Sequence, residues 1–367
     1  MSNNRYDYRK EINYANILGT KGRLVYAYTQ LMKQMWLSSS TSIDPSPFFQ
    51  PLIQFAPDFN DGQQHDSQEL LSFLLDGIHE DLNRVQKKQP YSEDKDGDGS
   101  NDEGGAVIAW QNYLLRNRSI VVDLFQGQLR NTMVCGTCGF RKVKFEPFMY
   151  LSLPISFATK TLDDCLELFC EKEHLKGENQ WFCSGCGTHV DATKKLDLWM
   201  LPPILIIHLK RFNHRGDKIE TPIHYQETNW NLSGSVKSKS GLYPMFDLYA
   251  VSNHAGGLNG GHYTAMVKNR FDDQWYEAND SSTRKIHKEQ MGNPKAYCLF
   301  YNRVETKEGR KRSDPKVMRQ SIDRPELWPH MQLTNDFASF RRSTVVTDMP
   351  VKEAQVDAEM SPTIFET

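Results

Sequence analysis

The chain has 367 residues, 38% of them hydrophobic and 11% aromatic, and its 44 Lys and Arg nearly balance 46 Asp and Glu for a net charge of −2. That balance leaves no basic footprint for nucleic acid. No apolar run approaches transmembrane length and the polar start MSNNRYDYRKE is not a signal peptide, so neither membrane insertion nor secretion is expected and the setting reads as cytoplasmic, with endosome association or the nucleus as alternatives.

Residues 1–16 are polar and read as an entry loop. Over 23–37, Leu24, Val25, Tyr28, Leu31, Met32, Met35 and Trp36 recur on one face of a helix. Ser46-Pro47 opens a second helix with Phe48, Phe49, Leu52, Ile53 and Phe55 on its apolar side, interrupted by Pro51. Asp66 caps a third, with Glu69 in the capping-box position and Leu70, Leu71, Leu74, Ile78 and Leu82 as the core stripe. Gln64, His65 and Asp66 therefore stand at a helix N-terminus, where polar side chains can face a partner; capping alone also accounts for Asp66.

Residues 87–106 read as a solvated loop. Asp94, Asp96, Asp98 and Gly99 match the first half of a calcium loop, but Gly105 stands where a bidentate Glu belongs. The stretch is therefore expected to be a disordered acidic insertion. A helix is expected over 107–116, and from Ile120 the pattern turns to short strands at Phe125–Val134, Arg141–Phe145 and Tyr150–Ile155. Thr161 caps a helix with Leu162, Cys165, Leu166 and Phe169 on one face. Strand character returns over 181–212, where the Ile204–Leu209 run of LPPILIIHLKRF is too apolar for a surface strand and is expected to be central. Alternation continues through Met245–Val251, His262–Val267 and Ala296–Tyr301. Residues 305–367 lack periodicity and read as a flexible tail. Helices followed by a long antiparallel strand region make the fold α+β.

Two constellations carry chemistry. His262 follows the Gly260-Gly261 pair and opens a strand; a second strand, Trp275-Tyr276, leads to Asn279-Asp280. Joined by the polar turn 268–274, the two strands bring His262 near Asn279, an imidazole beside an amide or carboxylate, which is the base-and-orienter half of a nucleophilic site. A strand histidine with ordinary hydrogen bonds is the alternative. The glycine pair suits a backbone that a substrate chain approaches closely. The second constellation is Cys135-Gly-Thr-Cys138 with Cys183-Ser-Gly-Cys186. Two CxxC knuckles with small residues between the sulfurs are expected to close a structural tetrahedral Zn2+ site.

Together, QQHDSQELLSFLLDGIHEDLN, the two CxxC knuckles, LPPILIIHLKRF and GGLNGGHYTAMVKN…WYEANDSS resemble the ubiquitin-specific protease family of deubiquitinases, over about residues 10–303. The resemblance implies a papain-like right-hand fold over 1–304, with 1–125 most of the thumb, 126–200 the zinc-bearing fingers and 201–304 the palm. It implies thiol-dependent hydrolysis of isopeptide bonds at the ubiquitin C-terminus, with ubiquitin and ubiquitinated proteins as partners. His262 matches the general base, Asn279 the orienting position and Asp280 its acidic neighbour. Asp66 matches the carboxylate that meets an arginine of ubiquitin's tail, Gln64 and Glu69 share its motif, and Gly260 and Gly261 line the same channel. The family's Asn-Thr-Cys box does not occur in the sequence. The chain is expected to start beyond it, to lack the nucleophile and to be inactive alone; an inactive ubiquitin-binding pseudoprotease is the alternative.

Overall fold

Three helices form as their periodicity requires: α1 (Arg23–Leu37), α2 (Ser46–Phe55) and α3 (Ser67–Asp81). The start of α1 is fixed from a distance. The fully buried Asp81 carboxylate accepts the Thr20 N–H at 2.6 Å, the Thr20 hydroxyl at 2.7 Å and the Gly22 N–H at 3.1 Å. A buried carboxylate persists because such donors replace its water. The computed structural model describes residues 7–40, 42–87, 97–213, 215–238, 245–257, 260–287 and 295–304. All but Asp7 fall in one unit, Tyr8–Trp328. Asp94, Asp96 and the 305–367 segment lie outside the described residues.

Two expectations are corrected in the next stretch. The acidic insertion is ordered from Gly97: that residue exchanges hydrogen bonds with Val143, and helix α4 begins at Asp102, not at 107 (Asp102–Leu114). Asn101 caps it, and Asp102 pairs with Arg130 at 2.5 Å. Those long-range partners outweigh a polar, glycine-rich local sequence. Asp98 spends its carboxylate on the Ser100 N–H at 2.8 Å. The second correction is Ile120–Phe125, which is helix α5 rather than the start of the strands. Its β-branched residues favour strand locally. Ser119 caps it, accepting the Val122 N–H, and itself meets the buried His79 ring at 2.8 Å, so α5 docks against α3 and buries Val121.

The strands follow: β1 (Gly127–Cys135), β2 (Arg141–Phe148) and β3 (Leu151–Pro154). Helix α6 (Leu162–Phe169) carries a full capping box between Thr161 and Asp164. Then come β4 (Glu173–Leu175), β5 (Trp181–Cys183), β6 (Thr188–Val190), β7 (Ala192–Met200), β8 (Ile204–Lys210), β9 (Trp230–Asn231), β10 (Met245–Gly257), β11 (Gly260–Lys268), β12 (Trp275–Asn279), β13 (Ser282–Ile286) and β14 (Ala296–Val304).

They build a four-stranded sheet in the order β2-β1-β7-β4, a β5-β6 hairpin, and an eight-stranded sheet in the order β13-β12-β11-β10-β14-β8-β3, with β9 beside β10. As its composition predicts, β8 is interior, antiparallel to β14 and parallel to β3. Its Leu205, Ile207 and Leu209 enter the large core shared with α6. Ile206, on the opposite face, joins Val25, Leu75, Ile78 and Val121 of the helices. Burial on both faces is why the run is continuously apolar. The sheet thus stands between two cores, with the His262 hairpin at its far edge.

Candidate functional site

Strand alternation puts His262, Thr264 and Met266 on one face of β11, and Met266 is buried in the large core. β12 pairs with β11 from Lys268↔Trp275 to Ala265↔Ala278. That register carries Asn279 to the face bearing His262, and His262 Nε2 lies 2.6 Å from Asn279 Oδ1. The amide oxygen can only accept, so the proton of this bond sits on Nε2, and in the neutral ring Nδ1 is the acceptor. Asp280 Oδ2 stands 3.8 Å from the same nitrogen, too far for a hydrogen bond but close enough for its field. A two-residue turn to Ser282, with Asp280 at φ +47°, swings that carboxylate aside.

The start of α3 reaches the same hairpin. The Gly261 N–H donates to Gln64 Oε1 at 2.5 Å, and the Ser67 N–H to the Tyr263 hydroxyl at 3.3 Å. Asp66 caps α3 through the Gln68 N–H at 2.7 Å, not through residue 69 as a capping box requires. Its other oxygen accepts the Tyr297 hydroxyl at 2.6 Å. Glu69 is exposed on the first turn. Gln64, Asp66, Gly261, His262 and Asn279 are therefore brought together. Gly261 also has an internal reason to be glycine: a Cβ there would meet the His254 ring and the Ala255 carbonyl oxygen at 2.6 Å. Around a Cβ built on Gly260 nothing among the described residues lies within 4 Å.

Beneath this site lies a layer that the sequence reading did not name. The Tyr297 ring stands 4.9 Å from His208, 5.9 Å from His254 and 6.2 Å from Tyr263. His208 Nδ1 meets Ser152 Oγ at 3.0 Å, and burial pushes its pKa down to about 4, so the ring is neutral. Burial and the Asp66 carboxylate push the Tyr297 hydroxyl far up, which keeps it a donor. One signal was present: His208 is a polar residue inside the apolar run of LPPILIIHLKRF.

At the end of the four-stranded sheet, the Sγ atoms of Cys135, Cys138, Cys183 and Cys186 all lie within 4.8 Å of one another. Cys135 to Cys186 is 3.8 Å and Cys138 to Cys183 is 3.7 Å. Four thiolates around one tetrahedral ion with bonds near 2.3 Å stand about 3.8 Å apart. The first knuckle points the N–H groups of Cys138 and Thr137 at Cys135 Sγ, both at 3.3 Å, and these bonds push that thiol down to about 6. The cluster can hold a metal ion, and it is the one such group among the described residues.

The other three cysteines are elsewhere. Cys165 is buried on α6 and Cys170 follows its end; burial raises both thiols. Cys298 is buried in β14 between His208 and Ser252, and its thiol is pushed well above the ordinary range.

Comparison with known proteins bears on the family and the fold. Residues 1–301 match the family described as ubiquitin carboxyl-terminal hydrolase. The chain is 36% identical over 285 residues to ubiquitin carboxyl-terminal hydrolase 2 of Gallus gallus, covering 76% of this chain and 79% of that one. It is 26% identical over 552 residues to the putative ubiquitin carboxyl-terminal hydrolase 11 of Arabidopsis thaliana, covering 82% of this chain but only 62% of that protein's length. Of the human ubiquitin carboxyl-terminal hydrolase 2 it spans 47%. Among solved structures, the SAGA Ubp8/Sgf11/Sus1/Sgf73 DUB module bound to ubiquitin aldehyde shares the fold, with a TM-score of 0.60 at 24% identity over 81% of this chain and 62% of that one. No helix among the described residues is long and apolar enough to cross a membrane. With a match reaching from residue 1 to residue 301, the chain belongs to the ubiquitin carboxyl-terminal hydrolase family.

Proposed function

We propose that this chain is a ubiquitin-binding member of that family, and that His262 and Asn279 are the base and orienter of thiol-dependent hydrolysis at the ubiquitin C-terminus. The observation that supports this most directly is the 2.6 Å bond from His262 to Asn279, which leaves Nδ1 as the basic nitrogen. In that chemistry Nδ1 takes the proton of a thiol, the thiolate attacks the C-terminal carbonyl carbon of ubiquitin, and the imidazolium returns the proton to the leaving lysine amine. Asn279 holds the ring's orientation; an amide stabilises imidazolium less than a carboxylate does, and Asp280 at 3.8 Å adds its field.

In this reading residues 1–125 are the thumb part, 126–200 the fingers and 201–304 the palm. Ubiquitin's body rests on the fingers and its tail runs past Gln64, Asp66, Glu69, Gly260 and Gly261 to His262. Asp66 accepts from Tyr297 and from its own helix, and a carboxylate has lone pairs left for an arginine. The four cysteines hold structural Zn2+. Protein substrates are ubiquitinated proteins, met in the cytoplasm.

The nucleophile is not among the seven cysteines of this sequence. Four share the metal cluster, and the thiols of Cys165, Cys170 and Cys298 are raised by burial, the reverse of what activates a thiolate. The chain by itself is therefore a binder without turnover. Titrating it into isotope-labelled ubiquitin and assaying a ubiquitin–fluorophore conjugate test both halves. Shifts in ubiquitin's spectrum without fluorophore release are expected. Release that disappears in His262→Ala overturns the inactive reading, and an unshifted ubiquitin spectrum overturns the ubiquitin reading.

A further inference from the structure

We propose that His254 is a positioning residue for His262: its imidazole fills the space where Gly261 lacks a side chain and so sets the height of the β11 backbone one residue before the catalytic ring. This rests on the reading of His262 as the base.

His254 is 4% exposed and pairs in register with Tyr263. Its main chain is held from the other side. The His254 N–H donates to the Lys295 carbonyl at 2.8 Å, and Lys218 Nζ donates to the His254 carbonyl at 2.7 Å. Both groups point away from β11, which makes His254 and Tyr263 a pair without mutual hydrogen bonds, the kind whose side chains approach most closely. The two rings accordingly stand 4.7 Å apart, with Phe212 at 5.7 Å and Tyr297 at 5.9 Å. From this seat the ring reaches diagonally to Gly261, on the same face as Tyr263. A Cβ built on Gly261 would meet Nε2 and would lie 3.0 Å from Cε1 of His254.

Gly261 is thus pressed on one face by the His254 ring, while its N–H is drawn to Gln64. With both set, the next residue has one place from which to reach Asn279. The ring acts here by shape. Its Nδ1 is buried with no hydrogen-bond partner among the described residues, and burial with Lys218 nearby pushes its pKa below the ordinary histidine value, so it is neutral near pH 7. A flat apolar ring is then a fair replacement and a methyl group is not.

The test is the nitrogen and proton resonances of the His262 ring in the 367-residue chain labelled at histidine, for His254→Ala and His254→Phe. In the parent, the ring nitrogen and carbon-bound proton shifts of His262 are expected to show the Nε2-protonated form that the bond to Asn279 selects. In His254→Ala those shifts are expected to move toward a mixture of the two tautomers, with the amide spectrum of α6 and the four-stranded sheet unchanged. In His254→Phe the parent shifts are expected to be retained. An unchanged His262 ring in folded His254→Ala overturns the proposal. If His254→Ala does not fold, His254→Phe decides: retained shifts support the wedge, and a tautomer mixture in a folded protein overturns it. Neither readout involves ubiquitin or turnover, so failure of the functional reading leaves this result standing on its own.

Discussion

The two larger sheets among the described residues are held together by different physics. The eight-stranded sheet lies between two apolar cores, and β8 alone buries Leu205, Ile206, Ile207 and Leu209 completely. Each such side chain contributes about 1.5–3 kcal/mol. Among the described residues, the far end of the four-stranded sheet has no comparable core. The cluster at its sulfurs is Cys135, Cys183 and Val190, with Trp181 and Cys186 packed against them. Phe182 is half exposed, and Phe140 stacks on Trp181 at the surface. A region that cannot bury enough apolar surface needs a covalent or coordinate tie. Four sulfurs within 4.8 Å supply the means for one. The eight-stranded sheet carries the His262–Asn279 pair, and the four-cysteine cluster stands at the end of the four-stranded one.

Removing the tie is the most damaging way to probe that contrast. Metal binding to small thiolate sites is linked to folding by about 10–16 kcal/mol in peptides. Cys183→Ser is expected to lower bound zinc from one equivalent to none. It should also abolish hydrogen-exchange protection in β5, β6 and the ends of β1 and β7, while β8 and β14 keep theirs. Full protection of the β5–β6 hairpin in protein stripped of metal would remove the distinction between the sheets.

A cavity in the other sheet is expected to act globally and less strongly. Leu205→Ala should cost about 2–5 kcal/mol in urea unfolding without changing bound metal. A cost confined to the four-stranded sheet, or near zero, would mean that the eight-stranded sheet is not what sets overall stability.

The smallest effect is set by pH. His208 falls from the ordinary 6.5 to about 4 on folding, because burial disfavours its charged form. The unfolded chain therefore binds the extra proton between those values. The stabilisation is complete above pH 6.5 and is lost as pH falls toward 4, at most about 3 kcal/mol. Urea midpoints measured from pH 7 to pH 4 should fall for the parent and flatten for His208→Gln. Parallel curves for the two proteins would assign the acid sensitivity to other groups.

Much of this was legible without coordinates, and the reasons are local. The α3 stripe, the Thr161 capping box and the apolar β8 run each depend on neighbours within a few residues. The CxxC spacing works because two sulfurs three apart can chelate one ion whatever the rest of the chain does. The misread stretches were those settled by distant partners. Ile120–Phe125 looks like strand until Ser119 meets His79 of α3. The acidic residues before α4 look solvated until Gly97 joins Val143 and Asp102 meets Arg130. Glycines 260 and 261 look alike in sequence, yet only the second has the His254 ring against its face.

By itself, then, the sequence determined the strongly periodic and capped elements, that four thiols belong to one cluster, and that His262 opens a strand one hairpin away from Asn279, because periodicity, capping and chelate spacing are properties of short stretches. Tertiary structure alone decided that the Asn279 oxygen accepts the His262 Nε2–H bond at 2.6 Å while Asp280 stands 3.8 Å off, that Asp66 is hydrogen-bonded to Tyr297, and that two neutral histidines lie beneath the site. Those outcomes depend on strand register, on turn conformation and on burial between separate elements, where shifts of an ångström decide which polar atoms meet.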